Sequence, residues 1–126
     1  MELHSTLMSG VMDEMDPRML GFIKQHITTF TRWDVIKFLH NNPNTQDTAE
    51  RLAQYVGRSV DVIRQESEAL VTEGIFRSAR KGTHTVYTLG GDQDIRQIIA
   101  YLVEAAHDRT FRMKLVYHIL RAGGQE

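Results

Sequence analysis

The segment YVGRSVDVIRQESEALVTEGIF, residues 55–76, contains the strongest local structural signals of this chain. Gly57 is suited to end one helix, because glycine tolerates the left-handed backbone conformation found at helix C-termini. Ser59 is a favourable N-cap for a second, longer helix, which Gly74 ends. The sequence therefore predicts two helices joined by a tight turn.

The longer helix of this stretch is acidic. Against one basic residue, Arg64, it carries four carboxylates: Asp61, Glu66, Glu68 and Glu73. Such a helix repels a polyanion, so other residues would have to supply the attraction if the partner were nucleic acid.

Two helices are predicted before the turn. The first has an apolar face of Val35, Ile36 and Leu39. Thr31 is its expected N-cap, and Pro43 cannot continue it. The second, TAERLAQYVG at residues 48–57, is expected to be capped by Asp47 or Thr45. Further upstream, residues 1–30 have an amphipathic helical pattern that is interrupted near Pro17, which fits the first turn of a helix.

After Gly74 the apolar period changes from helical to alternating. The segment IFRSARKGTHTVYTLG, residues 75–90, predicts a two-stranded β-hairpin that turns at Lys81-Gly82. Asp92 is then expected to cap a helical pattern that continues to Gly123-Gly124.

Composition indicates a soluble globular protein of one domain. The chain has 126 residues, 41% of them hydrophobic and 25% charged, and no apolar run long enough to span a bilayer. It has no cysteine and no secretory signal pattern, so a cytoplasmic location is expected. The net charge is −1, and DNA binding would therefore depend on local basic clusters.

The order helix, helix, tight turn, helix and hairpin resembles the winged helix-turn-helix of ArsR/MarR-type regulators. Three segments carry the resemblance, which covers about residues 28–108: TRWDVIKFLHNNP, TAERLAQYVG and SVDVIRQESEALVTEGIF. It implies an α+β fold, mostly α, with the hairpin as the wing. We expect an N-terminal helical extension at residues 1–27, the winged helix-turn-helix at 28–91 and a C-terminal helical segment at 92–126, with both flanks serving dimerisation.

Two positions depart from that pattern. Arg58 stands where such proteins usually bury a leucine, and Ser67 stands where the recognition helix is usually apolar. We expect both to weaken the local core, with Arg58 reaching outward to a phosphate or to solvent.

The resemblance implies a DNA-contacting surface. The outward face of the helix that follows Ser59 would contact DNA bases, and the wing would contact phosphates. The start of the preceding helix would position the protein on the DNA backbone. The candidates are Thr48, Arg51, Arg58, Ser59, Val60, Asp61, Arg64, Gln65, Glu68, Arg77, Arg80, Lys81, Thr83 and His84. The alternative for each is an ordinary solvated surface.

The terminal segments carry more apolar residues than one small core can cover, which predicts a homodimer. The candidate dimerisation residues are Leu7, Val11, Met19, Ile23, Ile95, Ile98, Ile99, Leu102, Phe111 and Leu115.

Metal binding and catalysis are not expected. His107 and His118 have the spacing of a zinc site in some ArsR-type sensors, but Ala105 and Arg121 stand where carboxylate ligands would be needed. Two exposed or interface histidines are the simpler interpretation. The sequence also lacks a phosphate-binding glycine loop, a metalloprotease motif and a nucleophile elbow, so we expect no enzyme and no cofactor.

These observations predict a sequence-specific transcriptional regulator that binds double-stranded DNA. The alternative is a winged helix that serves as a protein–protein interaction module. The acidic helix that follows Ser59 and the isoelectric point near 6.6 favour this alternative.

Overall fold

A computed structural model describes residues 10–123. Six helices and a β-hairpin follow one another in the order α1 (Pro17–His26), α2 (Phe30–Asn41), α3 (Ala49–Val56), α4 (Val60–Thr72), β1 (Phe76–Lys81), β2 (His84–Leu89), α5 (Gln93–Ala105) and α6 (Arg109–Arg121). Residues 10–12 are also helical. Pro17 occupies the first turn of α1, as its missing N–H predicts.

Short polar side chains cap the helices, although two caps differ from prediction. Ser59 and Asp92 cap α4 and α5 as expected. The cap of α2 is Thr29 rather than Thr31, which lies within the helix and is fully buried. The cap of α3 is Thr48 rather than Asp47 or Thr45, because the backbone of Asp47 pairs with that of Tyr87 in an isolated β-bridge.

The C-terminal apolar pattern forms two helices, not one. The chain turns at residues 106–108, and the carboxylate of Asp108 accepts the backbone N–H of Phe111 at 2.9 Å. This hydrogen bond starts α6 as a new helix. The spacing of apolar residues alone does not reveal the turn between α5 and α6, because that spacing continues through residues 106–108 with little change.

The hairpin has two strands as predicted, but its turn is Gly82-Thr83 rather than Lys81-Gly82, because Lys81 is the last residue of β1. Phe76 pairs with Leu89 at its base and Lys81 with His84 at its tip. Gly82 adopts a positive φ of 64° in the connecting turn, a conformation that favours glycine.

One hydrophobic core joins all the helices to the base of the hairpin. Fully buried members include Ile23 of α1, Ile36 of α2, Ile63 of α4, Ile99 of α5 and Ile119 of α6. The terminal helices therefore pack on the same core as the central ones. None of the helices within residues 10–123 is long and apolar enough to cross a membrane.

Candidate nucleic-acid interface

The outward face of α4 has the composition that the sequence predicted. Asp61, Arg64, Gln65 and Glu68 are exposed on it. Ser59 is exposed at its start, where its hydroxyl accepts the N–H of Val62, and Val60 is half-buried. This face is thus accessible to a ligand. Its charged side chains differ in the hydrogen bonds and ion pairs that they make within the protein.

Two of the four carboxylates of this acidic segment pair with residues of α1 and α2: Glu66 is buried within α4, and Glu73 is the exposed C-cap of that helix. The side chain of Glu66 is only 8% exposed and lies 3.4 Å from Nε of Arg32, while Thr29 donates its hydroxyl to the same carboxylate at 2.5 Å. Glu73 accepts from Nη1 of Arg32 at 3.1 Å and lies 2.8 Å from Nδ1 of His26. Both carboxylates therefore have internal partners, and their charge is largely compensated before any ligand arrives.

A third carboxylate, Glu68, connects α4 to the wing. The hydroxyl of Tyr87, on β2, donates to Oε2 of Glu68 at 2.5 Å. Burial raises the pKa of Tyr87 well above its usual value, and the hydrogen bond to Glu68 raises it further. A carboxylate can accept from the N4 amino group of cytosine, but Glu68 would have to share or give up its bond to Tyr87 to do so.

The side chain of the fourth carboxylate, Asp61, is fully exposed to solvent. It lies 3.6 Å from Nη1 of Arg64, whose Nη2 donates to Glu50 of α3 at 2.6 Å. Arg64 is therefore held by a neighbouring helix rather than extended freely toward solvent.

The other candidate cations of the helix-turn-helix also have partners. Arg51 donates to the hydroxyl of Tyr55 at 2.8 Å and lies 3.5 Å from Asp47. Arg58 donates through Nε and Nη2 to Asp34 of α2, at 3.1 and 3.0 Å. The prediction that Arg58 reaches outward is corrected here, because Asp34 holds its guanidinium against α2.

The wing presents cations without such partners. Arg77, Arg80, Lys81, Thr83 and His84 are all exposed. No ion pair among residues 10–123 includes Arg77, Arg80 or Lys81. The guanidinium of Arg77 lies against Gly91, at the base of the wing, whereas Arg80 and Lys81 are close to its tip. The wing thus presents cations that are not held by a carboxylate within the described residues.

The two histidines considered for metal binding lie in different surroundings. His107 is exposed in the turn between α5 and α6. His118 is buried, so the interpretation of an exposed histidine is wrong for it. Its Nε2 lies 3.0 Å from the carbonyl oxygen of Met12 and 3.2 Å from Asp13, and it holds residues 12–13 against α6. Within residues 10–123, no three potential ligand side chains are grouped for a metal.

The predicted dimerisation residues differ in how far they are buried. Leu7 lies outside the described residues, and Val11 is exposed. Four side chains are partly buried against the core: Met19, Ile95, Ile98 and Phe111. Four others are buried within the core of the chain itself and cannot face a second copy in this fold: Ile23, Ile99, Leu102 and Leu115.

Sequence reasoning missed the apolar residues that α6 exposes. Met113, Val116 and Leu120 are 55%, 41% and 54% exposed. Their spacing of three and four residues places them on one stripe, beside Arg109, Arg112 and Tyr117. The same spacing was visible in the sequence, but the stripe containing Leu115 and Ile119 has it too, and only packing shows which one faces inward.

Comparison with known proteins supports the fold. No protein-family profile matches the sequence, and neither does any curated protein. Among solved structures, the chain is similar to the homodimeric winged helix-turn-helix DNA-binding domain of a possible ArsR-family transcriptional regulator from Mycobacterium bovis. The two share 18% sequence identity at a TM-score of 0.56, over 75% of this chain and 91% of that chain. The chain therefore has the winged helix-turn-helix fold that the order of its elements predicted.

Proposed function

We propose that this protein is a sequence-specific transcriptional regulator that binds duplex DNA through its wing and α4. The observation that carries the proposal is the distribution of charge on these two elements. The wing cations Arg77, Arg80 and Lys81 have no acidic partner among the described residues, whereas Glu66 of the neighbouring α4 is buried and Glu73, at the end of that helix, is paired with Arg32. Attraction would come from the wing and discrimination from α4.

The acidic composition of α4 is thus compatible with a DNA partner. Glu66 and Glu73 pair with Arg32, Glu73 also contacts His26, and Glu68 bonds to Tyr87. Asp61 is the remaining carboxylate of the helix, fully solvated and close to Arg64. It would repel phosphate and so lower binding to unrelated sequences.

Arg64 and Gln65 would be the residues that read bases. An arginine can contact guanine bidentately and a glutamine can contact adenine in the same way. Thr48, Arg51 and Ser59, at the starts of α3 and α4, would contribute contacts to the backbone. Replacing Arg64 by alanine should cost about 1–3 kcal/mol at one guanine and relax specificity there.

We further propose that the functional unit is a homodimer whose terminal segments, residues 1–27 and 92–126, form the interface. The exposed stripe of Met113, Val116 and Leu120 on α6 supports this, because large exposed apolar side chains favour association. The similar domain from Mycobacterium bovis is itself homodimeric. A two-fold dimer would place two wings on half-sites about one DNA turn, ~34 Å, apart.

The second candidate function is a protein–protein interaction module. It rested on the acidity of α4, and the pairing of Glu66 and Glu73 with Arg32 reduces that support. The low isoelectric point of about 6.6 still favours it.

A salt titration separates the two functions. Binding of the full chain to a mixed-sequence duplex is measured by fluorescence anisotropy between low and moderate salt. We expect Arg80→Ala and Lys81→Ala each to weaken binding to all sequences and to flatten the salt slope by about one. Arg18→Ala, which removes an exposed cation from α1, is the matched control and should change neither quantity. If the unmodified protein binds no duplex even at low salt, the partner is a protein; if it does bind, selection of genomic fragments gives the operator.

A further inference from the structure

Glu50 holds the guanidinium that would read DNA. Its Oε1 accepts from Nη2 of Arg64 at 2.6 Å, and the two side chains come from different helices, α3 and α4. Both are partly exposed, at 58% and 47%, so the pair lies where a ligand can reach it. Asp61, 3.6 Å from Nη1, adds a second negative charge to the same guanidinium.

The pair lies in a cleft between α3, α4 and the wing. The cleft has a volume of about 160 Å³, and Thr83, His84 and Tyr87 complete its wall. A hydrogen bond from its own backbone N–H lowers the pKa of Glu50, and the charges of Arg64 and His84 lower it further. The carboxylate is therefore charged at neutral pH and places an anion beside the guanidinium of Arg64 in the cleft.

We propose that Glu50 is a specificity-determining residue that competes with nucleic acid for Arg64. The proposal rests on the function proposed above. Arg64 must leave Glu50 before it can contact a base, and guanine compensates this loss best because it offers two acceptors, N7 and O6. At other bases Arg64 stays with Glu50, and its guanidinium is then withheld from the DNA phosphates as well. Glu50 would thus lower the affinity for unrelated sequences more than the affinity for the operator.

A double-mutant cycle tests this competition. The full chain is prepared unmodified and as Glu50→Gln, Arg64→Ala and the double variant, and each is titrated with mixed-sequence duplex. We expect Glu50→Gln to tighten binding about two- to fivefold, the range of an exposed ion pair. In the Arg64→Ala background the same substitution should change binding less than about twofold, because the competition no longer exists.

Two outcomes overturn the proposal while leaving DNA binding intact. An equal gain in both backgrounds means that Glu50 repels DNA by its charge alone. No gain, or a loss, means that Glu50 does not compete or that it orients Arg64 for binding.

A second measurement tests the competition between Glu50 and an anion for Arg64 in the absence of DNA. Inorganic phosphate is titrated into the unmodified protein and the Glu50→Gln variant, and the Nε–Hε signal of Arg64 is followed by NMR. We expect phosphate to shift this signal more in the variant; equal shifts contradict the competition. If no protein binds duplex, the proposed function fails, and the phosphate titration alone decides whether Glu50 competes for Arg64.

Discussion

Tyr87 donates its hydroxyl to Glu68 at 2.5 Å, so the second strand of the wing is bonded directly to the middle of α4. Tyr87 is 2% exposed, and its backbone also pairs with Asp47, just before α3. One residue thus fixes the wing relative to both helices of the helix-turn-helix. Its removal should therefore affect stability and orientation together.

Tyr87→Phe should lower the free energy of unfolding by about 1.5–3 kcal/mol, the usual contribution of a hydrogen bond to a charged group. Urea denaturation followed by circular dichroism measures the loss. Tyr101→Phe, on the exposed surface of α5, is the control and should change stability by less than about 0.5 kcal/mol. Equal stability of the Tyr87 and Tyr101 variants would show that the bond to Glu68 contributes nothing.

The raised pKa of Tyr87 predicts how stability responds to alkali. The folded protein holds this proton more tightly than the unfolded chain, so the contribution is fully present below the ordinary tyrosine pKa of about 10. It is lost progressively as the pH rises above that value. In an absorbance titration of the four tyrosines, one should resist ionisation until the protein unfolds, and Tyr87→Phe should abolish that component. A resistant component that persists in the variant would contradict the assignment.

Arg32 is the centre of the buried network that contains Glu66 and Glu73. Arg32→Ala should destabilise the protein by about 3–5 kcal/mol, because it leaves Glu66 buried without its counter-ion. Arg18→Ala removes the partner of Asp16 in an exposed pair and should cost less than about 1 kcal/mol. Thermal and urea unfolding compare the two variants, and similar losses would mean that the Arg32 network is not desolvated.

Ser67 was expected to weaken the core, and the structure gives the physical reason. It is fully buried, and its hydroxyl has no hydrogen-bond partner within the described residues. Ser67→Ala should therefore raise the free energy of unfolding by about 1 kcal/mol, by removing an unsatisfied polar group and improving helix propensity. An exposed serine of β1, Ser78, serves as the control when replaced by alanine. A loss of stability in the Ser67 variant would indicate that the hydroxyl has a partner in solution.

The stripe on α6 predicts the oligomeric state. Leu120→Asp places a charge on the exposed apolar surface and should shift a dimer toward monomer at micromolar concentration. Sedimentation velocity measures the shift in oligomeric state. Gln54→Glu, at an exposed position of α3, is the control for the added negative charge. A monomeric parent protein would overturn the proposed homodimer, and a dimeric Leu120→Asp variant would place the interface elsewhere.

Local signals in the sequence were sufficient for most of the fold. Gly57, Ser59 and Gly74 each have a conformational or capping preference that acts within a few residues, so the tight turn and α4 could be predicted. The start of α6 was missed because an apolar period continues through the turn that Asp108 ends. The assignment of Thr31 as a cap failed for a related reason, since Thr29 was an equally good candidate two residues earlier.

The candidate interface was less predictable, because it depends on contacts between distant residues. The charge of α4 could be counted from the sequence, but the positions of Arg32, His26 and Tyr87 relative to it could not. The pairing of Arg64 with Glu50 likewise joins two helices that are separated by a turn. The sequence thus shows which charged side chains are present, whereas their contact partners can be identified only from the folded structure.

The arrangement of the hairpin has a consequence for solubility. Beside β2, the bridge to Asp47 covers part of one edge, whereas β1 has no strand on its outer side among the described residues. An open strand edge can pair with another molecule, and charged side chains are a common protection against this. Arg77, Arg80 and Lys81 all lie on β1, so the same cations also guard the protein against aggregation through strand addition. Neutralising all three at once should cause the protein to self-associate at concentrations where each single variant remains dispersed.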